Sequence, residues 1–323
     1  MDIHQAPIKS GFGPRTTANE VIEGQDLSGK TAIVTGGHSG LGLETTRALA
    51  NAGARVIVAA RNPALAHTVA GQIEGVEAWA LDLSNLGSVR SFAEAFIDSG
   101  RRVDIVINNA GIMACPETRV GSGWEAQFAT NHLGHYALVN LLWPTFTQGA
   151  RVVSVSSAGH HHSAIRWDDV QFERGYDKWL AYGQSKTANA LFALQLDMLG
   201  RDAGVRAFSL HPGKIATSLQ RHITKEEMIT AGWINENGEV VDPTFKTPEQ
   251  GAATQVWAAT SLQLEGMGGL YCEDCDIASL ALRNDDSLAG VCEYAIDPEH
   301  AQRLWALSSK LTGIDAFLGR IPA

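Results

Sequence analysis

The sequence places a tyrosine and a lysine four residues apart, Tyr182 and Lys186, where a run of helically spaced apolar residues begins. That spacing puts both side chains on one helix face. Tyrosine has an ordinary pKa of about 10, and a cation about 4 Å away at an effective dielectric constant of about 20 contributes about 4 kcal/mol. The pair could therefore transfer a proton near neutral pH, with Lys186 lowering the pKa of Tyr182. The alternative is an ordinary solvated helix face.

A glycine-rich turn, "TGGHSGLG", lies between an apolar run and a helical pattern. Glycine permits a tight turn and the close approach of a pyrophosphate, and a helix N-terminus offers free N–H groups and a positive dipole end. In this strand–turn–helix context the pattern predicts a dinucleotide site. A purely structural glycine turn is the minor alternative. The predicted cofactor-binding residues of the turn are Gly36, His38, Ser39, Gly40, Leu41 and Gly42.

Three later strand ends add to this site. In "VIVAARNP", Arg61 follows the apolar run and no acidic residue is present. An arginine at this position accommodates a 2′-phosphate, whereas an acid binds the ribose hydroxyl, so the stretch favours NADP(H). NAD(H) stays open as the alternative. "ALDLSN" offers Asp82, with Leu83, to an adenine amino group. "IVINNAGIM" places Asn109, Ala110 and Gly111 at the carboxyl edge of the sheet, where ligands bind in this architecture.

The elements that must position these residues alternate between strand and helix. Continuous runs rich in Val, Ile and Ala predict strands buried on both faces, and the alternation predicts a doubly wound parallel sheet of about seven strands with helices on both faces. We therefore expect a single-domain α/β Rossmann fold. The predicted strands are Thr31–Thr35, Arg55–Ala60, Val76–Leu81, Val103–Asn108, Arg151–Ser156 and Val205–Leu210, with a last strand in "GGLYCEDCDIA". The predicted helices are Leu41–Ala52, Ala64–Ile73, Gly87–Asp98, Trp124–Leu142 and Gly183–Leu199, with a terminal helix in "PEHAQRLWALSSKL".

The ordered motifs TGxxxGxG, NNAG, TNHLG, VSS, YxxxK and PG resemble the short-chain dehydrogenase/reductase superfamily over roughly residues 29–218. The resemblance is closer to retinol-dehydrogenase-like members and to the oxidoreductase domain of WW-domain-containing oxidoreductase, without a WW domain. The stretches "RTTANEVIEGQDLSGKTAIVTGGHSGLGLETTRALA", "NHLGH" and "SSAGHH" carry that closer likeness.

This resemblance implies hydride transfer between a nicotinamide cofactor and a carbonyl or hydroxyl carbon. It implies a catalytic tetrad of Asn131, Ser157, Tyr182 and Lys186, in which Tyr182 is the general acid/base, Ser157 bonds the substrate oxygen and Asn131 anchors a water. Lys186 would also hold the ribose hydroxyls. Further cofactor contacts are implied at Tyr182, Lys186, Pro212, Gly213, Ile215 and Thr217. The substrate is expected to be a small, uncharged, apolar ketone or secondary alcohol.

Composition limits the partners. A net charge of −10 argues against nucleic acid, and the absence of an apolar run of 18 residues argues against a membrane span. A cytoplasmic location and a homo-oligomer, dimer or tetramer, are expected. The N-terminal extension is placed at 1–28, the domain at 29–323 and a substrate lid at about 214–247. Four apolar residues of this lid either line it or pack on the core: Met228, Trp233, Ile234 and Phe245.

Metal binding is not expected. Cys272 and Cys275 form a lone CxxC, and the nearest further candidate ligands, Cys292 and His300, are irregularly spaced. The histidine run 160–162 is interpreted as a solvated or substrate-facing loop. Two other functions stay open: an NADP(H)-binding redox sensor without turnover, and a sugar-nucleotide epimerase or dehydratase. The intact tetrad argues against the first, and the glycine spacing argues against the second.

Overall fold

A central sheet of eight strands organises the chain in the computed structural model, which describes residues 5–282 and 288–318. The strand order across the sheet is β8-β7-β6-β5-β4-β1-β2-β3. Strands β1 to β7 are parallel, and β8 pairs antiparallel with β7 at the edge. The strands are β1 (Thr31–Thr35), β2 (Arg55–Ala60), β3 (Val76–Ala80), β4 (Val103–Asn108), β5 (Phe146–Val155), β6 (Arg206–His211), β7 (Leu270–Glu273) and β8 (Asp276–Ile277).

Helices connect these strands in the alternating order that the sequence predicts. They are α1 (Ala18–Ile22), α2 (Gly40–Asn51), α3 (Pro63–Ala70), α4 (Leu86–Asp98), α5 (Gly134–Leu142), α6 (Lys178–Gly200), α7 (Lys225–Thr230), α8 (Pro248–Thr260) and α9 (Pro298–Thr312). Short strands lie at Arg119–Val120, Trp124–Glu125, Lys214–Ile215 and Phe245–Lys246. Single helical turns lie at Ala126–Phe128, Trp143–Thr145, Ala158–His162, Arg201–Ala203, Ser218–His222, Leu262–Leu264 and Glu293–Ala295, and a π-helical segment at Ala129–Leu133.

The sheet is covered on both faces, because successive strand residues point to opposite sides. On one face Val34 and Val58 pack in a core with α1, α2, α3 and α8. On the other face Ile33 and Ile57 pack with α4, α5, α6 and Trp305 of α9. Burial on both faces explains why the strand sequences are continuous apolar runs. The predicted doubly wound parallel sheet with helices on both faces is confirmed, and the eighth strand adds an antiparallel edge.

Two predicted helix boundaries are wrong in ways that matter for the site. The predicted helix Trp124–Leu142 begins instead as a short strand, then passes through the π-helical segment before α5 starts. The buried Glu125 carboxylate sets this later start, because it caps the helical segment that begins at Ala126 by accepting the N–H groups of Gln127 and Phe128 at 2.9 and 2.7 Å. Helix α6 begins five residues earlier than predicted, since Asp177 caps its first turn.

The N-terminal segment packs on the sheet edge. Gln5 Nε2 donates to the carbonyls of Tyr271 and Ala278 at 2.7 and 2.6 Å, and the Asp276 carboxylate accepts the Ile8 N–H at 2.8 Å. The outer ends of the predicted extension and domain, residues 1–4 and 319–323, lie outside the described residues. Within the described ranges, no helix is both long and apolar enough to cross a bilayer.

Candidate active site

A groove of about 630 Å³ runs along the carboxyl ends of β1 to β4. It gathers thirteen of the residues that the sequence assigns to a cofactor: Gly36, His38, Ser39, Gly40, Leu41, Gly42, Arg61, Asp82, Leu83, Asn109, Ala110, Gly111 and Thr217. Tyr182, Lys186, Pro212, Gly213 and Ile215 are not among the residues lining it. Strand ends that are far apart in sequence therefore meet at one edge, as parallel topology requires.

The glycine turn at this groove leaves no room for side chains. Gly36 has a φ of +66°, which favours glycine, and a Cβ added at Gly42 would lie 2.4 Å from the Gly36 carbonyl oxygen. Ser39 makes no side-chain cap to α2, so the N–H groups of its first turn face the groove without a side-chain partner. His38 Nδ1 is buried without a hydrogen-bond partner in the described part of the chain. The turn therefore fits a phosphate-bearing ligand.

Two further groups flank the turn. Arg61 is exposed at the groove, immediately after the buried Ala59 and Ala60 of β2. The Asp82 carboxylate accepts the N–H and the hydroxyl of Ser84 at 2.9 and 2.6 Å, which fixes its orientation. The groove thus carries a cation beyond the second strand and an oriented acid beyond the third.

Tyr182 and Lys186 do not form a solvated helix face. Both are buried, each 4% exposed, and the Lys186 ammonium lies 5.5 Å from the centre of the Tyr182 ring. Lys186 Nζ donates to the Val155 carbonyl at the end of β5, at 3.0 Å. Helix α6 is buried through most of its length, and these two polar side chains face the sheet edge where β5 ends.

The ionisation of this pair corrects one expectation. Burial raises the pKa of Tyr182 to about 12, opposed by its hydrogen bond to Ser157. Burial also lowers the pKa of Lys186 to about 8. In the protein alone, burial and not the charge of Lys186 therefore sets the pKa of Tyr182. At pH 7 the Tyr182 hydroxyl is protonated and neutral.

Close packing holds Ser157 against Tyr182. Ser157 Oγ accepts the Gly159 N–H at 3.0 Å and shares a hydrogen bond with Tyr182. A Cβ at Gly159 would lie 2.7 Å from Tyr182 Cε1, and a Cβ at Gly183 would lie 2.8 Å from the Gly159 carbonyl oxygen. The two glycines allow the serine turn and α6 to touch. The sequence signals were present in "SSAGHH" and "YGQSK", but neither glycine was singled out.

Asn131 lies in the π-helical segment and is fully buried. Its Oδ1 accepts the Ile112 N–H at 2.8 Å, and its Nδ2 donates to the Ile112 carbonyl and the Ser185 hydroxyl, both at 2.9 Å. A Cβ on Gly111 would lie 3.1 Å from Asn131 Oδ1 and 3.7 Å from Lys186 Nζ. Asn131, Gly111 and Lys186 therefore meet at one point, and all four predicted tetrad residues belong to one connected site.

Two residues that sequence reasoning missed connect the motifs. Thr35 Oγ1 accepts the N–H groups of Asn109 and Ala110, both at 2.9 Å. His135 Nδ1 lies 2.9 Å from the Asn131 carbonyl, which can only accept, so His135 Nε2 accepts the Thr35 hydroxyl at 2.9 Å. Burial lowers the pKa of His135 to about 4, which keeps it neutral. The second histidine of "NHLGH" was the available signal.

The segment after β6 carries the remaining predicted cofactor contacts, of which Thr217 lines the groove. His211 Nδ1 accepts the Ala158 N–H at 3.0 Å, which joins the end of β6 to the serine turn. Gly213 has a φ of +98°, and the buried Ile215 pairs with Lys246 in a two-stranded ribbon. Thr217 caps the turn Ser218–His222.

An apolar cluster surrounds Tyr182. Met113, Ala114 and Ile223 are buried beside it, with Trp179, Leu219, Met228 and Trp233 packed against them. Of the predicted lid residues, Met228 and Trp233 belong to this cluster, and Phe245 lies 6.0 Å from Trp233 in an edge-to-face contact. Ile234 instead bridges to Val240. The surroundings of the Tyr182 side chain are therefore largely apolar.

Fold and site together define an oxidoreductase built on a dinucleotide-binding α/β sheet, and comparisons with known proteins agree. Residues 30–228 match the short chain dehydrogenase family. A "Probable oxidoreductase" of Streptomyces antibioticus is 46% identical over 87% of this chain and 96% of its own length. Human "Retinol dehydrogenase 12" is 36% identical over 89% of this chain and 88% of its own. The solved "RhlG/NADP active-site complex" of Pseudomonas aeruginosa is 25% identical, with a TM-score of 0.60, over 77% of this chain and 95% of that one. The chain belongs to the short-chain dehydrogenase/reductase family, and its retinol-dehydrogenase-like character is confirmed.

Proposed function

We propose that the protein transfers a hydride between NADP(H) and the carbonyl or hydroxyl carbon of a small apolar ketone or secondary alcohol. The observation that carries the proposal is the connected group of Asn131, Ser157, Tyr182 and Lys186 beside the glycine-lined groove, in which Asn131, Tyr182 and Lys186 are buried and Ser157 is half-buried. A binding protein without turnover would have no need to bury a lysine next to a tyrosine, because burying a charge costs free energy.

The cofactor would be held by the glycine turn, Arg61, Asp82 and the Asn109–Gly111 segment, and it would supply the hydride. The missing acid after β2 and the exposed Arg61 support NADP(H) over NAD(H). The complex of the RhlG relative with NADP supports a nicotinamide cofactor of this type. Lys186 and the segment at Pro212–Thr217 are proposed to hold the nicotinamide half.

The protein side of the reaction is proton transfer. In reduction, neutral Tyr182 donates its hydroxyl proton to the substrate oxygen, while the Ser157 hydroxyl bonds that oxygen and stabilises its developing charge. The Lys186 ammonium, buried nearby, stabilises the tyrosinate that forms. Asn131, fixed by its bonds to Ile112, is proposed to anchor a water beside Lys186. The apolar cluster around Tyr182 supports an uncharged substrate.

Steady-state oxidation of NADPH and NADH across ketones, aldehydes and steroids tests the proposal. We expect turnover with apolar ketones and a preference for NADPH. Tyr182→Phe should abolish turnover while NADPH binding persists. Tyr136→Phe is the matched control, because it removes a buried hydroxyl that donates to the Ile314 carbonyl at 3.0 Å and does not line the groove. Tight NADPH binding without turnover for any substrate would favour the redox-sensing alternative.

Two broader expectations belong with this proposal. The negative net charge supports a small-molecule substrate over a nucleic-acid partner. A cytoplasmic location and a dimer or tetramer stay predictions, to be checked by fractionation and by light scattering coupled to gel filtration.

A further inference from the structure

The histidine run after the catalytic serine is not the solvated loop that the sequence suggests. His160 is fully buried, His161 is half-buried and only His162 is exposed. Cys292, which is 132 residues later in the chain than His160, folds back against the first two histidines. One ligand atom from each of His160, His161 and Cys292 lies within 4.8 Å of the other two. No motif in the sequence joins these three residues.

Both histidines have the tautomer that a metal ligand needs. His160 Nδ1 lies 2.7 Å from the Ser157 carbonyl, so it must donate, which leaves the lone pair on Nε2. His161 Nε2 lies 3.2 Å from the Gly290 carbonyl, so it must also donate, which leaves the lone pair on Nδ1. Histidines that bind metals usually donate their other ring N–H to a carbonyl or carboxylate in this way.

Cys292 is half-buried, whereas Cys115, Cys272 and Cys275 are buried, so its thiol is the most accessible of the four to an ion. A thiol binds metal as the thiolate and releases its proton when the ion binds. The Glu273 carboxylate, which accepts the Gly290 N–H at 2.8 Å, adds a negative charge near His160.

We infer that His160 Nε2, His161 Nδ1 and Cys292 Sγ form a three-ligand site for a borderline-soft cation such as Zn²⁺, with water as the fourth ligand. Two imidazoles and one thiolate suit zinc better than magnesium or calcium, which prefer oxygen ligands. With Zn–N of about 2.0 Å and Zn–S of about 2.3 Å, tetrahedral ligands lie about 3.3–3.6 Å apart. The cluster must contract by about 1 Å to reach this geometry.

Binding also requires one local rearrangement. The lone pair of His160 Nε2 accepts the Cys292 N–H at 3.1 Å, so the ion must displace this amide. The effect reaches the active site, because the N–H and the imidazole of His160 both donate to the Ser157 carbonyl. The cation site thus lies directly behind the proposed catalytic serine. It stands on its own geometry and does not depend on the proposed reaction.

Titration of the chelator-treated full chain with Zn²⁺ against a chromophoric indicator tests the site. We expect one equivalent to bind, and Cys292→Ser and His161→Asn each to weaken it at least about tenfold. His162→Asn is the matched control, since its exposed ring follows in the same run, and Cys115→Ser controls for a generic thiol; neither should change the affinity. Circular dichroism confirms that each variant is folded.

Co²⁺ provides a second readout that does not depend on activity. A thiolate-to-cobalt charge-transfer band should appear in the wild-type chain and disappear in Cys292→Ser. The inference is overturned if Zn²⁺ binds no tighter to the wild type than to Cys292→Ser, or if His162→Asn weakens binding as much as His161→Asn does.

Discussion

Replacing Lys186 with methionine should make the protein more stable and much less active. Lys186 is buried, and a buried ammonium costs free energy that an apolar side chain of similar length does not. The hydrogen bond from Lys186 to the Val155 carbonyl is not essential to that carbonyl, because Asn189 Nδ2 also donates to it at 3.0 Å. The substitution therefore leaves no buried acceptor without a partner.

The magnitude follows from the pKa of Lys186, which burial lowers from 10.5 to about 8. At about 1.36 kcal/mol per pH unit, keeping this lysine charged in the folded state costs about 3 kcal/mol. Allowing for the lost hydrogen bond, worth about 1 kcal/mol, we expect Lys186→Met to raise the free energy of unfolding at pH 7 by about 2 kcal/mol.

The gain in the free energy of unfolding from Lys186→Met should decrease as the pH rises. Below pH 8 the lysine is charged in both the folded and the unfolded chain, so the wild type bears the full cost. Between pH 8 and 10.5 the folded protein releases the proton before the unfolded chain does, and the cost disappears. The stability difference between variant and wild type should therefore shrink across this window.

Urea unfolding of the wild type and of Lys186→Met at pH 7 and pH 10 measures the stability difference. NADPH oxidation measures the loss of activity, which we expect to be at least about 100-fold. Lys225→Met serves as control, because Lys225 is exposed on α7, and its substitution should change stability by less than about 0.5 kcal/mol. A variant less stable than the wild type at pH 7, or a difference that does not change with pH, would refute the reasoning.

Three further predictions concern the same site. Since the pKa of Tyr182 is about 12, kcat/KM for alcohol oxidation should rise with pH between 7 and 9; a flat profile would exclude Tyr182 as the base. Arg61→Ala should raise KM for NADPH at least about tenfold and leave KM for NADH nearly unchanged, whereas equal effects would place Arg61 away from the 2′-phosphate. Gly159→Ala should cut kcat about 100-fold without weakening NADPH binding in fluorescence titration, because its Cβ would lie 2.7 Å from Tyr182 Cε1; normal kcat would show that the ring can shift.

The fold was largely predictable because buried parallel strands carry a strong sequence signal. Bounds for β1, β2 and β4 agree with the prediction, since these central strands are apolar on both faces. The stretch around Glu125 misled the prediction for a physical reason. Its helical spacing of apolar residues is real, but the buried Glu125 carboxylate caps the first turn, so the helical segment begins at Ala126, and spacing does not show where a carboxylate points.

The sequence names the members of the candidate site but not their connections. The glycine turn, Arg61, Asp82 and Asn109 can be named because each follows a strand, whereas the tetrad is named by the resemblance of the ordered motifs. The hydrogen bonds that join Thr35 to His135, and Cys292 to His160, connect residues far apart in sequence, and only the tertiary fold brings them together. The ionisation of Tyr182 and Lys186 also depends on the depth of burial, which a spacing of four residues does not determine.

The π-helical segment Ala129–Leu133 has a consequence for how this region tolerates change in chain length. One extra residue is fitted into the helix there, and each residue of an α-helix turns the chain by about 100°. Deleting a single residue between Ala129 and Leu133 would restore regular winding and rotate the preceding turn, with Glu125 and Gln127, away from its buried partners. A one-residue deletion here should therefore lower the stability of the fold more than a substitution of Asn131 does, because the substitution removes one amide and leaves the winding of the helix intact.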